Sequence, residues 1–482
     1  MFTSVMFASI LPEILILVLA VILLVVEPLW KEDQRRNAGW LTAGGLFMVI
    51  IISLLFGQPG EPVAVLGGMI RFDWLGFFFK ILFMFAAAVT ALLLMDHEKA
   101  GQRGEAYLLL LASLLGMNLM AVSADLIMLY LAIETASIPL YILAGFLLAD
   151  DRSTEAGFKY LLFGTLASTI MLYGFSLIFG FAGTTNIYLL SEMFASGAIS
   201  VSLAFGIFAL VLVGFGFKLA VVPFQFWAPD VYQGSPTPVA GFLSTASKAA
   251  GFAVITRFFL VAFPDFAPSW TVILAALSAI TMTVGNLLAL SQTNIKRLLA
   301  YSSIAHAGYA LIGVVAFSQL GAASVVFYLA AYIATNLLAF GVVMAFSRVT
   351  GLEDIKDYAG MSRRSPWLAL MMLAAFLSLA GMPPFGGFVA KVFVFAAGVQ
   401  SGYVWLVIVG ILNSIIGVYY YLNAMKYVYL YRLPNEDEEN YPVPLTRPYT
   451  IALTVLVLGV ILVGTLFAPW FSWSDAAALN LF

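Results

Sequence analysis

Apolar stretches long enough to cross the hydrocarbon core of a membrane recur along this entire chain of 482 residues. A membrane-spanning helix needs about 20 consecutive, mostly apolar residues. The stretches do not alternate in polarity, and lipid offers no partner to backbone groups, so helices are predicted rather than strands. The spans are placed at residues 5–27, 38–57, 72–95, 105–122, 125–148, 156–181, 200–226, 236–263, 270–290, 295–317, 321–347, 366–397, 403–430 and 449–470. We therefore predict an all-α integral membrane protein with about fourteen transmembrane helices.

The composition agrees with this fold class, since 63% of the residues are hydrophobic and 10% are charged, against about 25% charged in soluble proteins. The chain has no cysteine, and its two histidines are His97 and His306. Thiolate ligands for an iron–sulfur cluster are therefore absent from the sequence, and so are the histidine pairs of a membrane haem protein. No G-x-G-x-x-G or Walker pattern is present. We expect this chain to hold no cofactor and no metal and to bind no nucleic acid.

Basic residues indicate which loops face the cytoplasm, because Lys and Arg collect on that side of a membrane. Sixteen of the 22 Lys and Arg residues follow odd-numbered spans: Lys31, Arg35, Arg36, Lys99, Arg103, Arg152, Lys159, Lys296, Arg297, Arg348, Lys356, Arg363, Arg364, Lys426, Arg432 and Arg447. Loops that follow even-numbered spans carry only Arg71, near the start of the third span. Both termini and residues 183–199 are therefore predicted to lie outside, in the periplasm of a Gram-negative bacterium.

Two of the spans contain residues that interrupt helices. The seventh runs into Pro223, and the twelfth contains residues 381–387, with two glycines after a proline pair and one before it. Proline removes a backbone donor and clashes with the preceding turn, and glycine lets the chain unwind. Each span is predicted to be a discontinuous helix, with a packing kink as the alternative interpretation.

The two interruptions lie five spans apart, and an odd separation makes the two copies face opposite ways, as in the inverted repeats of transporters. We predict two inverted five-helix repeats, spans 4–8 and spans 9–13. The corresponding domains are residues 105–265 and 266–432. Residues 1–104 hold the first three spans, and residues 433–482 hold the last one.

Five ionisable residues remain at membrane depth: Glu134, Lys218, Lys248, His306 and Lys391, in spans 5, 7, 8, 10 and 12. A charge at the centre of a span costs about 2.5–3.5 kcal/mol, so such residues point to function. The alternative is an ion pair or hydrogen bond that locks helices together. One carboxylate cannot pair with three lysines, and desolvation favours the neutral amine. These lysines are therefore candidates for accepting and releasing protons.

Two further basic residues, Lys80 and Arg257, fall nearer the outer thirds of their spans. A long basic side chain at that depth reaches the membrane surface or forms a structural ion pair. We expect both residues to be structural.

Long motifs surround the buried residues. They are residues 131–134, residues 217–238 with Lys218 and Pro223, residues 244–252 with Lys248, residues 294–309 with His306, and residues 380–391 with Lys391. In these motifs the chain resembles the antiporter-like membrane subunits of respiratory complex I, the bacterial proton-pumping NADH:quinone oxidoreductase. Within that family it is most similar to the branch called subunit N, the counterpart of mitochondrial subunit two. The resemblance covers nearly the whole chain.

The resemblance implies a proton half-channel in each repeat, joined by a central hydrophilic axis. Carried over by position, Glu134 and Lys218 form the ion pair of the first half, and Lys248 is the central relay. His306 then lies on the axis, and Lys391 is the exit-side lysine. Lys391 follows its proline break, whereas Lys218 precedes its own.

The resemblance also implies the surroundings of the chain. NADH, FMN, iron–sulfur clusters and quinone would act in other subunits of the complex. The partners would be the other antiporter-like and small membrane-arm subunits, the lipid bilayer and protons, in the inner (cytoplasmic) membrane of a bacterium.

Two other functions remain open at this point. A subunit of a multi-subunit cation/proton antiporter would share the fold and the lysine–glutamate pair, but the Gly-Ser-Pro-Thr-Pro wording at residues 234–238 favours complex I. A non-conducting structural anchor of the membrane arm is the other alternative. The excess of buried lysines over buried carboxylates argues against it.

Overall fold

The computed structural model describes residues 4–97, 99–195, 201–432 and 442–481. Among them are thirteen helices long and apolar enough to cross a membrane. The spans are Leu11–Val26, Asn37–Phe56, Trp74–Leu94, Gly104–Val122, Leu126–Ala144, Asp151–Ala182, Val201–Leu219, Thr237–Ala262, Ala267–Leu290, Ile295–Val315, Gln319–Thr350, the pair Pro366–Ala380 and Gly386–Gln400, Val404–Tyr429 and Arg447–Thr465. Counting that pair as one span gives fourteen, as predicted.

Shorter elements lie between and beside the spans. They are the helices Ser4–Ser9, Ile187–Ala195, Trp227–Gly234, Met361–Arg364 and Phe467–Ala478, the strands Val63–Val65 and Ile70–Phe72, and the 3-10 turns Glu27–Leu29, Glu32–Gln34, Leu66–Gly68, Pro264–Phe266, Ile355–Tyr358 and Leu479–Leu481. The two strands form an antiparallel hairpin in which Ala64 faces Arg71.

Both predicted interruptions are present. Span 7 stops at Leu219, and the helix Trp227–Gly234 follows after seven irregular residues. Span 12 stops at Ala380 and resumes at Gly386. Each interruption contains a cis peptide bond before a proline. Gly381 has a φ of 84°, a backbone conformation that glycine adopts without steric cost.

A third irregularity was not predicted from the sequence. Inside span 8, the helix Thr237–Phe242 passes into a π-helical turn, Leu243–Ser247, and then into Lys248–Ala262. π-helical turns inside α-helices are rare and are frequent at functional sites. This one ends immediately before Lys248.

The loops divide between two ends of the bundle. A polar cavity of about 630 Å³ is lined by residues that follow spans 3, 5, 7, 9 and 11, among them Lys99, Asp150, Gly234, Asn294 and Glu353. We call this end the basic face. The hairpin lies at the other end, where Ile70 pairs with Ser123 after span 4, and we call that end the hairpin face. The structure thus separates odd-numbered from even-numbered loops, as the basic residues predicted.

One local arrangement occurs twice, once at each end. The backbone entering span 5 pairs with the residues after span 6, with Leu126 N donating to Thr185 O over 2.8 Å. The backbone entering span 10 pairs in the same way with the residues after span 11, with Ile295 N donating to Glu353 O over 2.9 Å. Asp125 caps span 5, and Asn294 caps span 10.

Spans 6 and 11 match as well, since each has 32 residues. Each ends at a left-handed glycine, Gly183 with a φ of 68° and Gly351 with a φ of 72°. Because the two copies lie at opposite faces, they support the inverted repeat. We propose the boundaries 105–265 and 266–432 for the repeats. Part of the flanking segment, residues 433–441, lies outside the described residues.

Two buried ion pairs involve the first three spans, and one of them reaches the rest of the bundle. Lys80 Nζ lies 2.8 Å from Glu13 Oε1, which links spans 1 and 3. The two terminal nitrogens of the Arg257 guanidinium donate to the Asp73 carboxylate, at 2.5 and 2.8 Å, which links spans 3 and 8. Arg257 also donates to the hydroxyl of Tyr188 and to the carbonyl of Ala121. Lys80 and Arg257 thus both form ion pairs of the kind predicted for structural residues.

The centre of the bundle consists of spans 8, 10 and 11, which are almost fully buried. Fewer than half of the residues of spans 1, 2, 6 and 13 are buried, as in helices that face lipid or other subunits. The irregular turn of span 8 and the motif of span 10 therefore lie in the interior of the protein.

Candidate functional site

Lys218 lies in the last turn of the first half of span 7. Its ammonium is buried and donates to the hydroxyl of Ser137 on span 5 over 2.5 Å. The indole of Trp227, just beyond the interruption, donates to the carbonyl of Phe217 over 3.1 Å. The same carbonyl accepts from Ala220 N over 3.0 Å, so Phe217 O takes two donors where the helix ends. The interruption thus holds Lys218 at a helix end inside the protein.

Glu134 lies one turn before Ser137 on the same helix and interacts electrostatically with Lys218. The two side chains form no direct ion pair in the described part of the chain, which corrects the expectation from the resemblance. Ser137 takes the lysine donor instead. One carboxylate oxygen of Glu134 is buried without a hydrogen-bond partner, although the side chain as a whole is only half-buried.

Lys248 follows the π-helical turn in span 8 and is buried. Its ammonium donates to the carbonyl of Ser303 over 2.9 Å and to the hydroxyl of the same residue over 2.8 Å. Ser303 belongs to span 10, so this contact crosses from the first predicted repeat to the second. No carboxylate pairs with Lys248 among the described salt bridges.

Span 10 carries a polar stripe through the interior, because Ser303, His306 and Tyr309 recur every three residues and so share one face of the helix. His306 Nδ1 lies 2.7 Å from the hydroxyl of Tyr328, and Nε2 lies 3.5 Å from the hydroxyl of Tyr421. The stripe begins at the residue that binds Lys248. His306 thus lies on the same face of span 10 as Ser303, which binds Lys248, and Tyr309, which lies beside Lys391.

Lys391 lies in the second half of span 12 but reaches back across the interruption. Its ammonium donates to the carbonyls of Leu379 and Ala380 over 3.1 and 3.0 Å and to the hydroxyl of Ser414 over 2.8 Å. It also lies 4.8 Å from the centre of the Tyr309 ring. Although Lys391 follows the break in sequence, its ammonium therefore lies at the end of the helix that precedes the break.

Residue Lys218 lies in the last turn before its helix break, and the Lys391 ammonium contacts the carbonyls at the end of the first half of span 12. The helix dipole and the unpaired carbonyls make such an end negative, which favours a cation. The space over Gly381 is needed for this contact, because a Cβ atom there would lie 2.8 Å from Lys391 Cδ. The broken helix of span 12 thus supplies carbonyl partners to Lys391, whereas the Lys218 ammonium binds the Ser137 hydroxyl.

The structure brings Lys248, His306 and Lys391 together through span 10 and keeps Glu134 at the edge of the group. Sequence reasoning did not identify the hydroxyl groups that hold these residues, which belong to Ser137, Ser303, Ser414, Tyr328 and Tyr421. The spacing of residues 303, 306 and 309 could have revealed the stripe on span 10. Sequence reasoning also did not identify Glu13 and Asp73, the buried carboxylates that pair with Lys80 and Arg257.

The arrangement suits proton transfer better than binding of a cofactor. Among the described residues, no group of three His, Asp or Glu side chains could hold a metal ion. The hydrogen bonds of the three lysines go to neutral oxygen acceptors. Hydroxyl groups both donate and accept hydrogen bonds, which a proton path requires.

The sequence of the chain agrees with a known family over most of its length. Residues 123–417 match the family described as NADH:quinone oxidoreductase/Mrp antiporter, transmembrane region. NADH-quinone oxidoreductase subunit N of Moorella thermoacetica is 43% identical over 472 residues, 98% of each chain. Subunit N of Trichlorobacter lovleyi is 40% identical over 96% of this chain and 95% of its own. The chain belongs to the subunit N branch of this family.

Solved structures of the family share the fold of this subunit. A chain of respiratory complex I from Thermus thermophilus with bound aureothin has a TM-score of 0.79 at 33% identity, over 96% of this chain and 98% of its own. A chain of the Mrp complex from Dietzia has a TM-score of 0.85 at 21% identity, over 98% and 97%. The second likeness concerns the fold alone. This chain is a multi-pass, antiporter-like subunit of a translocase.

Proposed function

We propose that this subunit carries protons across the membrane along Lys218, Lys248, His306 and Lys391. The observation that supports this most strongly is that three buried lysines are held by neutral oxygens next to two helix breaks and one π-helical turn. A structural role alone does not explain them, because the bundle pairs its structural cations Lys80 and Arg257 with carboxylates.

Electron transfer would occur elsewhere in the complex. The relatives are named as subunits of an oxidoreductase that uses NADH and a quinone. NADH, FMN, iron–sulfur clusters and quinone would be bound by other subunits. Those subunits, and the neighbouring membrane-arm subunits that cover the exposed apolar helices, are the proposed partners.

Glu134 would control the first step. Because it is half-buried on span 5, its carboxylate can respond to a change at the surface of the subunit while still acting on Lys218. A nearby carboxylate favours the lysine ammonium, and desolvation favours the amine. Each proton moved outward costs about 2.3 kcal/mol per 100 mV of membrane potential. If redox chemistry elsewhere in the complex moved the Glu134 carboxylate away from Lys218 or screened its charge, Lys218 would release its proton toward Lys248.

The basic face is proposed to lie in the cytoplasm, with both termini in the periplasm. The cavity at that face then opens to the cytoplasm above span 8 and span 10. This orientation rests on the excess of Lys and Arg in the odd-numbered loops. The membrane would be the bacterial inner membrane.

The orientation can be tested with single cysteines, because the native chain has none. Lys31→Cys, Lys99→Cys and Lys356→Cys are expected to react with a membrane-impermeant maleimide only in inverted vesicles, since these exposed residues lie at the basic face. Glu192→Cys, exposed in the helix Ile187–Ala195, should react only from outside intact cells. Labelling of Lys31→Cys and Glu192→Cys from the same side would contradict the proposal.

Glu134 and Lys218 are expected to act as a unit in pumping. In the assembled complex, Glu134→Ala and Lys218→Ala should each lower NADH-driven proton pumping, and the double variant should be less impaired than the sum of the two. Groups in contact or in one network show interaction energies of about 0.5–3 kcal/mol. Lys426→Ala, which removes an exposed lysine at the basic face, is the matched control and should be additive with Glu134→Ala. Strict additivity for Glu134 and Lys218 would remove Glu134 from the path.

A cation/proton antiporter subunit is the second candidate, since a chain of the Mrp complex shares the fold. The sequence relatives at about 40% identity, however, are subunits of NADH-quinone oxidoreductase. Purification of the native assembly distinguishes the two. An accompanying iron–sulfur arm supports the oxidoreductase, and its absence from an intact assembly supports the antiporter.

A further inference from the structure

Two tyrosine hydroxyls, those of Tyr160 and Tyr232, are buried without a hydrogen-bond partner among the described residues. Neither side chain is exposed at all. Tyr160 lies on span 6, and Tyr232 lies on the helix Trp227–Gly234 that follows the break in span 7. Buried hydroxyl groups in proteins are almost always hydrogen-bonded, to protein or to internal water.

Ring contacts place Tyr160 and Tyr232 next to Trp227. Trp227 stacks on the ring of Tyr160 at 4.5 Å and meets the ring of Tyr232 edge-on at 5.9 Å. The same indole is bonded to the carbonyl of Phe217, the residue before Lys218. The two tyrosines are therefore fixed beside the helix end that carries Lys218.

The other side of the two tyrosines faces Lys248. Ser247, the residue before Lys248, approaches the hydroxyl of Tyr160, and Ser303, which binds the Lys248 ammonium, approaches that of Tyr232. Neither approach has the geometry of a hydrogen bond. The two hydroxyls thus lie between the surroundings of Lys218 and those of Lys248.

Spans 7 and 8 are also in contact at this level. A Cβ atom added to Gly251, one turn after Lys248, would lie 3.4 Å from Lys218 Cβ. The backbones that carry the two lysines are therefore close, while their ammonium groups extend to Ser137 on span 5 and to Ser303 on span 10. Two tyrosine and two serine hydroxyls supply the two to four polar partners that an internal water molecule needs.

We propose that Tyr160 and Tyr232 hold a short chain of internal water through which Lys218 passes its proton to Lys248. The inference rests on the proposed function and adds the residues that bridge its first two lysines. One N–H bond of the Lys218 ammonium breaks and one N–H bond forms at the Lys248 amine. Each intervening water gives one proton and receives one. The tyrosine hydroxyls donate and accept hydrogen bonds throughout and end in their initial state, so they are positioning residues.

Other unpartnered tyrosines in the chain provide a control. The hydroxyls of Tyr358 and Tyr449 are also buried without a partner. Tyr358 follows span 11 and Tyr449 begins span 14, both at the basic face and away from the lysines. A Phe substitution there removes the same hydroxyl from a buried ring without touching the proposed path.

The test compares Tyr160→Phe, Tyr232→Phe and Tyr449→Phe in the assembled complex. Each substitution keeps the ring and its packing and removes one hydroxyl. We expect Tyr160→Phe and Tyr232→Phe to slow NADH-driven proton pumping about two- to tenfold. This is the change in an equilibrium constant that corresponds to the loss of one hydrogen bond. The solvent deuterium isotope effect on turnover should rise, because proton transfer becomes rate-limiting. Tyr449→Phe should change neither quantity.

The isotope effect separates positioning from folding, since a variant that merely assembles poorly gives fewer active complexes with the native isotope effect. The inference would be overturned if both tyrosine variants pumped slowly with the native isotope effect, or if both pumped at the native rate. Lys218→Ala and Lys248→Ala measured alongside separate the inference from the proposed function. If they stop pumping while the Phe variants do not, the lysine path stands and the tyrosine-held water fails. If they pump normally, the proposed function itself fails.

Discussion

Lys248→Ala is expected to abolish NADH-driven proton pumping by this subunit in the assembled complex. Lys248 is the ionisable group that joins the two halves, because it projects from span 8 and binds Ser303 on span 10. Positioned acid–base groups contribute about 10²–10⁴-fold to the rate of proton transfer, so the loss should be at least about 10²-fold. Through tight coupling, the rate of quinone reduction should fall as well.

The measurement is proton uptake by inverted membrane vesicles, recorded beside NADH oxidation and with assembly checked by native electrophoresis. Lys391→Ala should behave like Lys248→Ala, since Lys391 is held in the same way by carbonyls and a hydroxyl. Lys426→Ala is the control for loss of a lysine at an exposed site. Undiminished pumping in an assembled Lys248→Ala complex would favour a structural anchor over proton transport as the function of this subunit.

Asp73→Ala is expected to be the most destabilising substitution of a structural residue. The Asp73 carboxylate accepts a hydrogen bond from each terminal nitrogen of the Arg257 guanidinium, and both side chains are buried. Removing one partner of a buried ion pair leaves the other charge uncompensated and costs about 3–5 kcal/mol. Asp73 also caps span 3 by accepting from Gly76 N over 2.9 Å. The loss of this cap adds about 1 kcal/mol.

The unfolding midpoint of the purified chain in detergent, measured with a denaturant, tests this expectation. Asp265→Ala removes an exposed carboxylate at the same face and should stay within about 0.5 kcal/mol of the native chain. The double variant Asp73→Leu with Arg257→Met should be more stable than Asp73→Ala, because it leaves no buried charge. Equal midpoints for Asp73→Ala and Asp265→Ala would show that the ion pair does not support the fold.

The spans and their interruptions could be predicted from the sequence because each depends on local chemistry. An apolar run of sufficient length forms a helix in lipid whatever its neighbours are. Pro223 and the segment from Gly381 interrupt helices through their own backbone restrictions. The π-helical turn before Lys248 has no such local cause, and the sequence did not reveal it.

The five ionisable residues could be identified from the sequence, but their partners could not. Lys218 binds Ser137 rather than Glu134 because the crossing of spans 5 and 7 brings the serine nearer to the ammonium. Likewise, Arg257 and Asp73 are 184 positions apart in the chain. Such contacts depend on how helices pack, which the polarity pattern of a single helix does not contain.

By itself, the sequence determined that the chain is a bundle of about fourteen membrane helices, two of them broken, with an excess of buried lysines. These properties follow from hydrophobic length, from proline and glycine, and from the cost of charge in lipid. Only the tertiary structure decided that Lys391 reaches back to its broken helix end and that span 10 aligns Ser303, His306 and Tyr309 between two lysines. The physical reason is that a hydrogen bond requires two groups within about 3 Å, a distance that only the packed bundle sets.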